Sequence, residues 1–252
     1  GPSRKAISFG PTYSMYPNIA RTTLTEYKEL PRQQAFSLSA DYVADVIGSE
    51  KPDIVILCSP NNPTGTPIDL DVIDAAYQAF DGMVLVDEAY QEFSTGPSAI
   101  SLLAARPRLV VSRTMSKAFA FAGARVGYMA ADPAVVDAMR IVRLPYHLSA
   151  LTQAAALAAL DSGEELLASI PQIISQRNRI SAGVEKLGLR AYPSQSNFVL
   201  VQGFDDPKAV FESLLAKEII VREVSIPGCL RITAGTEAET TKLLGELAIM
   251  RD

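Results

Sequence analysis

Short uninterrupted apolar runs punctuate the first half of this chain, and polar residues follow several of them. The clearest runs lie at 53–58, 83–87, 109–111 and 126–131. Runs of this length between turn-forming residues are typical of strands covered on both faces of a parallel sheet. Helical patterns separate several of the runs, so the sequence predicts an α/β fold with a mostly parallel sheet.

Helix signals fill the intervals between the apolar runs. Ser39 or Asp41 can cap a helix that ends near residue 47, and Asp69 can cap one that ends near residue 80. Asp132 and Pro133 begin another, which extends to about residue 143. Residues 20–36 are predicted to form a strand followed by an irregular polar link.

The second half of the chain predicts a different arrangement. An alanine-rich helix is expected at 151–160, followed by one long helix at 164–187. Shorter strands and helices then alternate, as in a two-layer α+β unit. Strands are expected at 197–201, 219–224 and 229–233, and helices at 207–217 and 237–250. We therefore expect a large domain at 1–150, linking helices at 151–175 and a small C-terminal domain at 176–252.

Composition and charge narrow the class of protein. The chain has 252 residues, 48% of them hydrophobic, and a formal net charge of -5. An acidic chain is a poor partner for nucleic acid or an anionic membrane, and no apolar run approaches the roughly 18 residues of a membrane span. The N-terminus lacks the apolar core of a signal peptide. These features predict a soluble cytoplasmic protein.

Cysteine and histidine are scarce in this chain. Cys58 and Cys229 lie far apart, each in an apolar run, and are expected to be buried thiols. His147 is the single histidine, so a familiar zinc cluster is not expected. No Gly-x-Ser-x-Gly motif accompanies His147 to suggest a serine hydrolase, and a structural role for it is favoured.

The stretch 112–128 carries the strongest chemical signal. Lys117 follows a predicted buried strand and is surrounded by Arg113, Thr114 and Ser116, with Arg125 eight residues on. Hydroxyl groups and a guanidinium suit phosphate oxygens. A lysine near another cation has a lowered pKa, which suits a covalent amine. A solvated lysine beside an ordinary arginine is the alternative from this stretch alone.

Other candidate residues also follow predicted strands. Asn62 lies in the loop 59–65, Asp87 ends the run at 83–87, and Tyr90 follows it. Ligands of open α/β sheets bind at the carboxyl ends of strands. A buried carboxylate there needs a partner, which a protonated pyridine nitrogen would provide. A plain turn and a surface acidic pair are the alternatives.

Three further side chains are weaker candidates. Tyr13 and Tyr16 follow a turn, where an aromatic ring can stack on a flat cofactor or simply pack in the core. Arg231 alternates with Leu230 and Ile232, so it points away from the core face of its strand. It can bind a substrate carboxylate or lie in solvent.

Taken together and in order, these motifs resemble the pyridoxal-phosphate (PLP)-dependent aminotransferases of fold type I. The resemblance covers the whole chain and is carried by 59–65, 87–90, Ser116-Lys117 with Arg125, and 230–235. The segments 11–16, 112–119, 143–149 and 196–198 are most similar to the histidinol-phosphate aminotransferase branch. Aromatic amino-acid aminotransferases are the second choice. The resemblance implies a three-layer αβα large domain with a mostly parallel sheet and a smaller α+β domain.

The resemblance also implies an activity and a role for each candidate residue. The implied activity is a ping-pong transfer of the amino group from histidinol phosphate to 2-oxoglutarate, which gives glutamate. This reaction would be a step of histidine biosynthesis. The resemblance also implies a homodimer. Lys117 would be the catalytic residue, which holds PLP as an internal aldimine. The remaining implied ligands are Tyr13, Asn62, Asp87, Tyr90, Thr114, Ser116 and Arg125 for the cofactor, and Asn62, Arg231 and Tyr16 for the substrate.

Some alternatives and one departure stay open. Members of that family usually carry a further N-terminal portion, which holds additional cofactor contacts, and a chain without it is expected to retain PLP weakly. A non-catalytic PLP-fold module or a PLP lyase would share most of these motifs. His147, Tyr16, Asn197 and Arg222 are candidates for selecting the imidazole. A hydrolase of Ser-x-x-Lys type is not supported, because Thr114 stands three residues before Lys117.

Overall fold

A computed structural model describes residues 1–251 and contains two β-sheets. The larger sheet has six strands in the order β2-β1-β3-β4-β5-β6. Its strands are β1 (Lys5–Gly10), β2 (Glu26–Pro31), β3 (Ile54–Cys58), β4 (Met83–Asp87), β5 (Leu109–Thr114) and β6 (Gly127–Ala131). Strands β1 to β5 are parallel, and β6 runs antiparallel to β5. The prediction of an α/β fold with a mostly parallel sheet is therefore confirmed.

Helices that precede β3 and β4 help to bury the larger sheet. They are α2 (Ala40–Glu50) and α3 (Leu70–Gln78). Ser39 caps α2 by accepting a hydrogen bond from the Tyr42 amide, as predicted for a short polar residue at that position. Val43 of α2 and Ile73 of α3 belong to the same fully buried core as Val55 in β3. Burial of this face fixes the strands whose carboxyl ends form one edge of the sheet.

The smaller sheet has four strands in the order β7-β8-β10-β9 and its own core. The strands are β7 (Arg190–Ala191), β8 (Phe198–Gln202), β9 (Arg222–Glu223) and β10 (Cys229–Thr233), and the helices are α7 (Ile170–Lys186), α8 (Pro207–Ala216) and α9 (Glu237–Ile249). Thr236 and Glu239 form a capping box at the start of α9. Leu230 and Ile232 of β10 lie in this core, which leaves Arg231 on the opposite face.

Three local predictions differ from the structure. The segment 20–36 contains β2 as expected, but it begins with the end of a helix, α1 (Tyr16–Thr22). The single helix predicted at 164–187 is two helices, α6 (Gly163–Leu167) and α7, and Pro171 lies in the first turn of α7. Proline suits a helix start because its missing N–H would be unpaired there. The strand predicted at 219–224 is shorter in the structure, where β9 contains only Arg222 and Glu223.

Two further helices and the segment between them carry a concentration of exposed apolar side chains. They are α4 (Pro133–Val142) and α5 (Ala150–Asp161), joined by the segment 143–149. Helix α4 has no buried residue, although its apolar side chains share one face. The large apolar residues exposed in this region are Met139, Ile141, Val142, Leu144, Tyr146, Leu151, Leu157 and Leu160. Within residues 1–251, no helix combines the length and apolar character that crossing a membrane requires.

Candidate active site

Polar side chains from both sheets meet beside the carboxyl ends of β3, β4 and β5. Asn62 follows β3, Asp87 ends β4, and Lys117 follows β5. Arg231 comes from β10 of the smaller sheet and donates a 2.6 Å hydrogen bond from Nη1 to Asn62 Oδ1. The strand ends are adjacent because β4 pairs with both β3 and β5. The topology therefore gathers residues that are far apart in sequence.

Asp87 is a largely enclosed carboxylate with specific hydrogen-bond donors. Tyr16 donates from its hydroxyl to Oδ2 at 2.8 Å, and the Ala89 amide donates to Oδ1 at 3.2 Å. Burial raises the pKa of Asp87, and the Tyr16 hydrogen bond opposes that rise. Burial also raises the pKa of Tyr16 well above its usual value, so that residue stays a donor. An additional cationic partner would favour the ionised carboxylate.

The loop 59–65 is held by the fully buried Asn61. Its Nδ2 donates to Pro11 O at 3.0 Å and to Thr64 Oγ1 at 2.8 Å, and its Oδ1 accepts from Thr12 Oγ1 at 2.7 Å. Gly65 adopts φ +76, and a Cβ there would lie 2.3 Å from Ser194 Oγ. A glycine is therefore required where this loop contacts the turn before β8.

Arg231 lies between Asn62 and an aromatic ring. Its guanidinium carbon is 4.8 Å from the centroid of the Phe198 ring. Burial lowers the pKa of Arg231, and the charge of Arg222 on the neighbouring strand lowers it further, whereas Tyr90 raises it. The Nε atom is buried and has no partner among the described residues. A buried donor of this kind is available to an anionic ligand.

Lys117 reaches solvent on one side, and neighbouring atoms partly desolvate its amine on the other. This desolvation lowers its pKa, and repulsion from Arg231 and Arg125 adds to the effect. Its Nζ lies 5.6 Å from the centroid of the Tyr90 ring. Tyr90 is itself buried, which raises its pKa to about 12. Lys117 therefore releases its proton more readily than an isolated lysine does.

Side chains suited to phosphate lie on the segment around Lys117. Thr114 Oγ1 accepts from the Ser116 amide at 3.1 Å and donates to Val126 O at 3.3 Å, which orders the turn. Arg125 is exposed, adopts φ 56, and donates to Ala122 O at 3.1 Å. These contacts leave further guanidinium donors of Arg125 for a ligand.

The weaker candidates have varied positions. The rings of Tyr13 and Tyr16 meet edge to face, with centroids 5.5 Å apart, and Tyr13 is half exposed. His147 and Arg222 are exposed, and the backbone carbonyl of Asn197 accepts from the Ala234 amide at 2.9 Å. Whether any of these residues selects a substrate stays a prediction.

Two residues next to the site were not assigned roles from the sequence. Asn61 lies within the predicted loop 59–65, but its neighbour Asn62 has the same side chain, and no pattern distinguishes the fully buried amide from the partly buried one. Arg32 is a buried guanidinium that donates to Phe9 O at 3.0 Å and Cys58 O at 3.4 Å. It binds carbonyls at the ends of β1 and β3, which sequence spacing does not reveal.

Residues 1–247 match the family described as aminotransferase class I and II. This chain belongs to that family. Histidinol-phosphate aminotransferase from Paenarthrobacter aurescens strain TC1 is 52% identical over 100% of this chain and 69% of its own length. The same enzyme from Mycolicibacterium smegmatis is 49% identical over 97% of this chain and 65% of its own length. The chain thus spans about two thirds of the curated relatives it matches.

Solved structures share the fold. Histidinol-phosphate aminotransferase from Sinorhizobium meliloti, solved in complex with pyridoxal-5'-phosphate, superposes with a TM-score of 0.89 at 27% identity, over 99% of this chain and 71% of that one. A decarboxylase from Sulfurospirillum multivorans superposes with a TM-score of 0.87 at 25% identity, over 99% and 76%. The architecture is therefore the fold-type-I architecture of PLP-dependent aminotransferases, which confirms the predicted fold class.

Proposed function

We propose that this protein is a PLP-dependent aminotransferase that transfers the amino group of histidinol phosphate to 2-oxoglutarate. The observation that carries the proposal is the Lys117 amine, whose lowered pKa accompanies a convergence of Asp87, Asn62 and Arg231 at one sheet edge. Identity of about half of the residues to histidinol-phosphate aminotransferases supports the choice of substrate. The activity of the whole protein belongs to this proposal.

The donor set fits PLP. The cofactor carries a protonatable ring nitrogen, a ring hydroxyl, an aldehyde and a phosphate, and when bound it acts as an electron sink for the bonds of the substrate α-carbon. Each group has a counterpart of suitable chemistry among the described residues. We assign Asp87 to the ring nitrogen, Asn62 and Tyr90 to the ring hydroxyl, Tyr13 to the ring face, Lys117 to the aldehyde, and Thr114, Ser116 and Arg125 to the phosphate.

Asp87 and Lys117 have complementary electrostatic tasks. Asp87 has a raised pKa because it is buried, so a cationic ring nitrogen would favour its ionised form. The Lys117 amine has a lowered pKa, so a larger fraction is unprotonated at neutral pH. In that form Nζ could accept the proton from the α-carbon of the substrate and would deliver it to the C4′ carbon of the cofactor, which bears the aldehyde. Tyr90, whose ring lies beside Nζ, limits the access of water from that side.

Arg231 is the proposed anion-binding residue for both substrates. Its Nη1 is fixed by Asn62, while its buried Nε has no partner among the described residues. Histidinol phosphate carries a phosphate and no carboxylate, whereas 2-oxoglutarate carries two carboxylates. A planar guanidinium can bind either group through paired hydrogen bonds. We propose that Arg231 serves the two half-reactions in turn.

A half-reaction experiment tests the proposed function. The complete protein is loaded with PLP, histidinol phosphate, phenylalanine and tyrosine are added separately, and the cofactor absorbance is followed. Fast conversion with histidinol phosphate alone supports the proposal. Equal or faster conversion with phenylalanine or tyrosine would instead indicate an aromatic amino-acid aminotransferase. Release of carbon dioxide from an amino acid would instead favour a lyase, the class of the Sulfurospirillum relative.

A pair of lysine variants completes that test. Lys117→Ala should abolish conversion in every half-reaction, because no other lysine among the described residues lies at the site. Lys186→Ala changes a lysine in the last turn of α7 and is the matched control, which should convert substrate at the wild-type rate. Equal activity of the two variants would contradict the proposed role of Lys117. Binding of PLP without any conversion by the wild type would favour a non-catalytic module.

We propose in addition that a second copy of the chain covers the apolar surface of α4 and α5. Contiguous exposed apolar surface of this kind marks an interaction site, and Ile141, Leu144 and Leu151 are each mostly exposed. Sedimentation of the complete protein should give a dimer, and Leu151→Glu should weaken it. A monomer at micromolar concentration would contradict this proposal. The cytoplasmic location stays a prediction.

A further inference from the structure

An ion-pair cluster lies at the same strand ends as the site but points away from it. Successive side chains of a strand point to opposite faces of its sheet. Asp87 is the register partner of Ser112 on the neighbouring parallel strand, so the side chains of this pair share the site face. Glu88 and Arg113 each follow one of these residues and pair with each other. The cluster therefore lies on the reverse side of the strand ends that carry the site.

The geometry of the cluster is a guanidinium fork with several partners. Arg113 donates to Glu88 Oε2 from Nε at 2.8 Å and to Glu92 Oε1 from Nη1 at 3.0 Å, and its Nη2 lies 2.8 Å from Glu88 Oε2. The Ser98 hydroxyl accepts from Nη2 at 3.0 Å and donates to Glu88 Oε2 at 2.7 Å. The Ala99 amide donates to Glu88 Oε1 at 2.6 Å. The fork thus joins three separate backbone segments.

This cluster replaces the backbone ladder where β4 and β5 separate. The last backbone hydrogen bond between them runs from the Glu88 amide to Ser112 O, at 2.9 Å. Beyond it the chain after β4 turns into the segment of Tyr90, while β5 continues only against β6 as far as Thr114. The Arg113–Glu88 pair therefore links the two chains at the point where they diverge.

The Arg113–Glu88 pair is the most deeply buried ion pair in the part of the chain that the structure describes. The Glu88 side chain is 2% exposed and that of Arg113 is 12% exposed. Arg106 and Asp74, an ion pair on the same sheet unit, are 19% and 38% exposed. A buried ion pair is costly to desolvate, and apolar residues often replace one without loss of stability. Its presence at this position points to a geometric role.

We propose that Arg113 is a positioning residue for the cofactor. Through Glu88 it fixes the distance between the strand end that carries Asp87 and the segment that carries Thr114 and Lys117. PLP would span these two strand ends, so their spacing sets how tightly and in which orientation it is held. The inference rests on the proposed function, because it requires that PLP binds at this edge of the sheet.

Paired lysine substitutions in the complete, PLP-loaded protein test the proposal. Arg113→Lys keeps the charge but loses the fork, and Arg106→Lys makes the same change in the ion pair with Asp74. We expect Arg113→Lys to raise the Kd of PLP, measured by titration of the apoprotein, by about tenfold, the scale of one lost hydrogen bond to a charged group. The visible circular dichroism of bound PLP should change as well.

The kinetic expectation follows from misplacement of reacting groups. A displacement of about 1 Å can cost roughly a hundredfold in rate, so kcat of Arg113→Lys should fall by about tenfold to a hundredfold. The KM for the amino donor should change little, because Arg231 is untouched. Arg106→Lys should lower the Tm to a similar extent while Kd, circular dichroism and kcat stay at wild-type values.

Three outcomes would overturn the inference. In the first, Arg113→Lys and Arg106→Lys lower the Tm alike and leave Kd and circular dichroism unchanged. If Arg113→Lys does not fold, Ser98→Ala is measured instead, since it removes one hydroxyl of the cluster and should raise Kd to a smaller degree. The second outcome is an unchanged Kd in that variant. The third is a wild-type protein that binds no PLP, which would also contradict the proposed function.

Discussion

Tyr16→Phe removes a single oxygen and tests the electrostatics of Asp87 directly. The Tyr16 hydroxyl donates to Asp87 Oδ2 at 2.8 Å, and the ring of Tyr16 is buried. A hydrogen bond to a charged group contributes about 1.5–3 kcal/mol, against about 1 kcal/mol for a neutral one. Removal of the Tyr16 hydroxyl therefore destabilises the ionised form of Asp87 more than its protonated form. The already raised pKa of Asp87 should therefore rise further when the Tyr16 hydrogen bond is removed.

The sign of the pH dependence follows from linkage. Burial raises the pKa of Asp87 in the folded protein above its unfolded value of about 3.9. As the pH rises through this interval, the unfolded chain releases its proton first, and the free energy of unfolding contributed by this group falls. Tyr16→Phe extends the interval upward. The destabilisation caused by the variant should therefore be small near about pH 4 and grow toward about pH 8.

The assay is urea unfolding of the apoprotein across this pH range. Tyr192→Phe is the matched control, because Tyr192 is also buried and its hydroxyl donates to a neutral amide, Gln202 Oε1, at 2.7 Å. Its destabilisation should be about 1 kcal/mol and independent of pH. A destabilisation by Tyr16→Phe that is constant with pH, or that shrinks as the pH rises, would refute the reasoning.

Three further predictions concern single contacts. Gly65→Ala should destabilise the protein by about 1–3 kcal/mol, because φ +76 strains alanine and its Cβ would meet Ser194 at 2.3 Å; an unchanged Tm would contradict this. Thr236→Ala should remove the capping box shared with Glu239 and lower the free energy of unfolding by about 0.5–2 kcal/mol, measured by urea unfolding, with kcat unchanged. Arg231→Lys should raise the KM for 2-oxoglutarate about tenfold by losing the planar fork, and steady-state kinetics with an unaffected KM would oppose its proposed role.

The elements that the sequence predicts well are those whose signals are local. A strand buried on both faces needs a continuous apolar run, so β3, β4 and the start of β5 were recognisable, and the polar residues that follow β3 and β4 could be assigned to one edge of a parallel sheet. Ser39 was recognisable as a cap because its partner is three residues away. Local rules also placed the start of α4 at Asp132 and Pro133.

The contacts that arrange the site are not local, and sequence spacing does not specify them. The Tyr16–Asp87 bond joins residues 71 positions apart, and the antiparallel direction of β6 depends on how the chain folds back after Arg125. The break before α7 was missed because the apolar pattern continues across it. In each case tertiary packing decides between conformations that the local sequence permits equally.

The hydrogen bond between Arg231 and Asn62 has a consequence for synthesis of the protein on the ribosome. Its partners are 169 residues apart, so at about 5–20 residues per second Asn62 is made roughly 10–30 s before Arg231. Asp87 and Lys117 are translated during this interval, and the strands that carry them can pair before the smaller sheet exists. A nascent chain thus acquires the proposed cofactor contacts first and its proposed substrate arginine last.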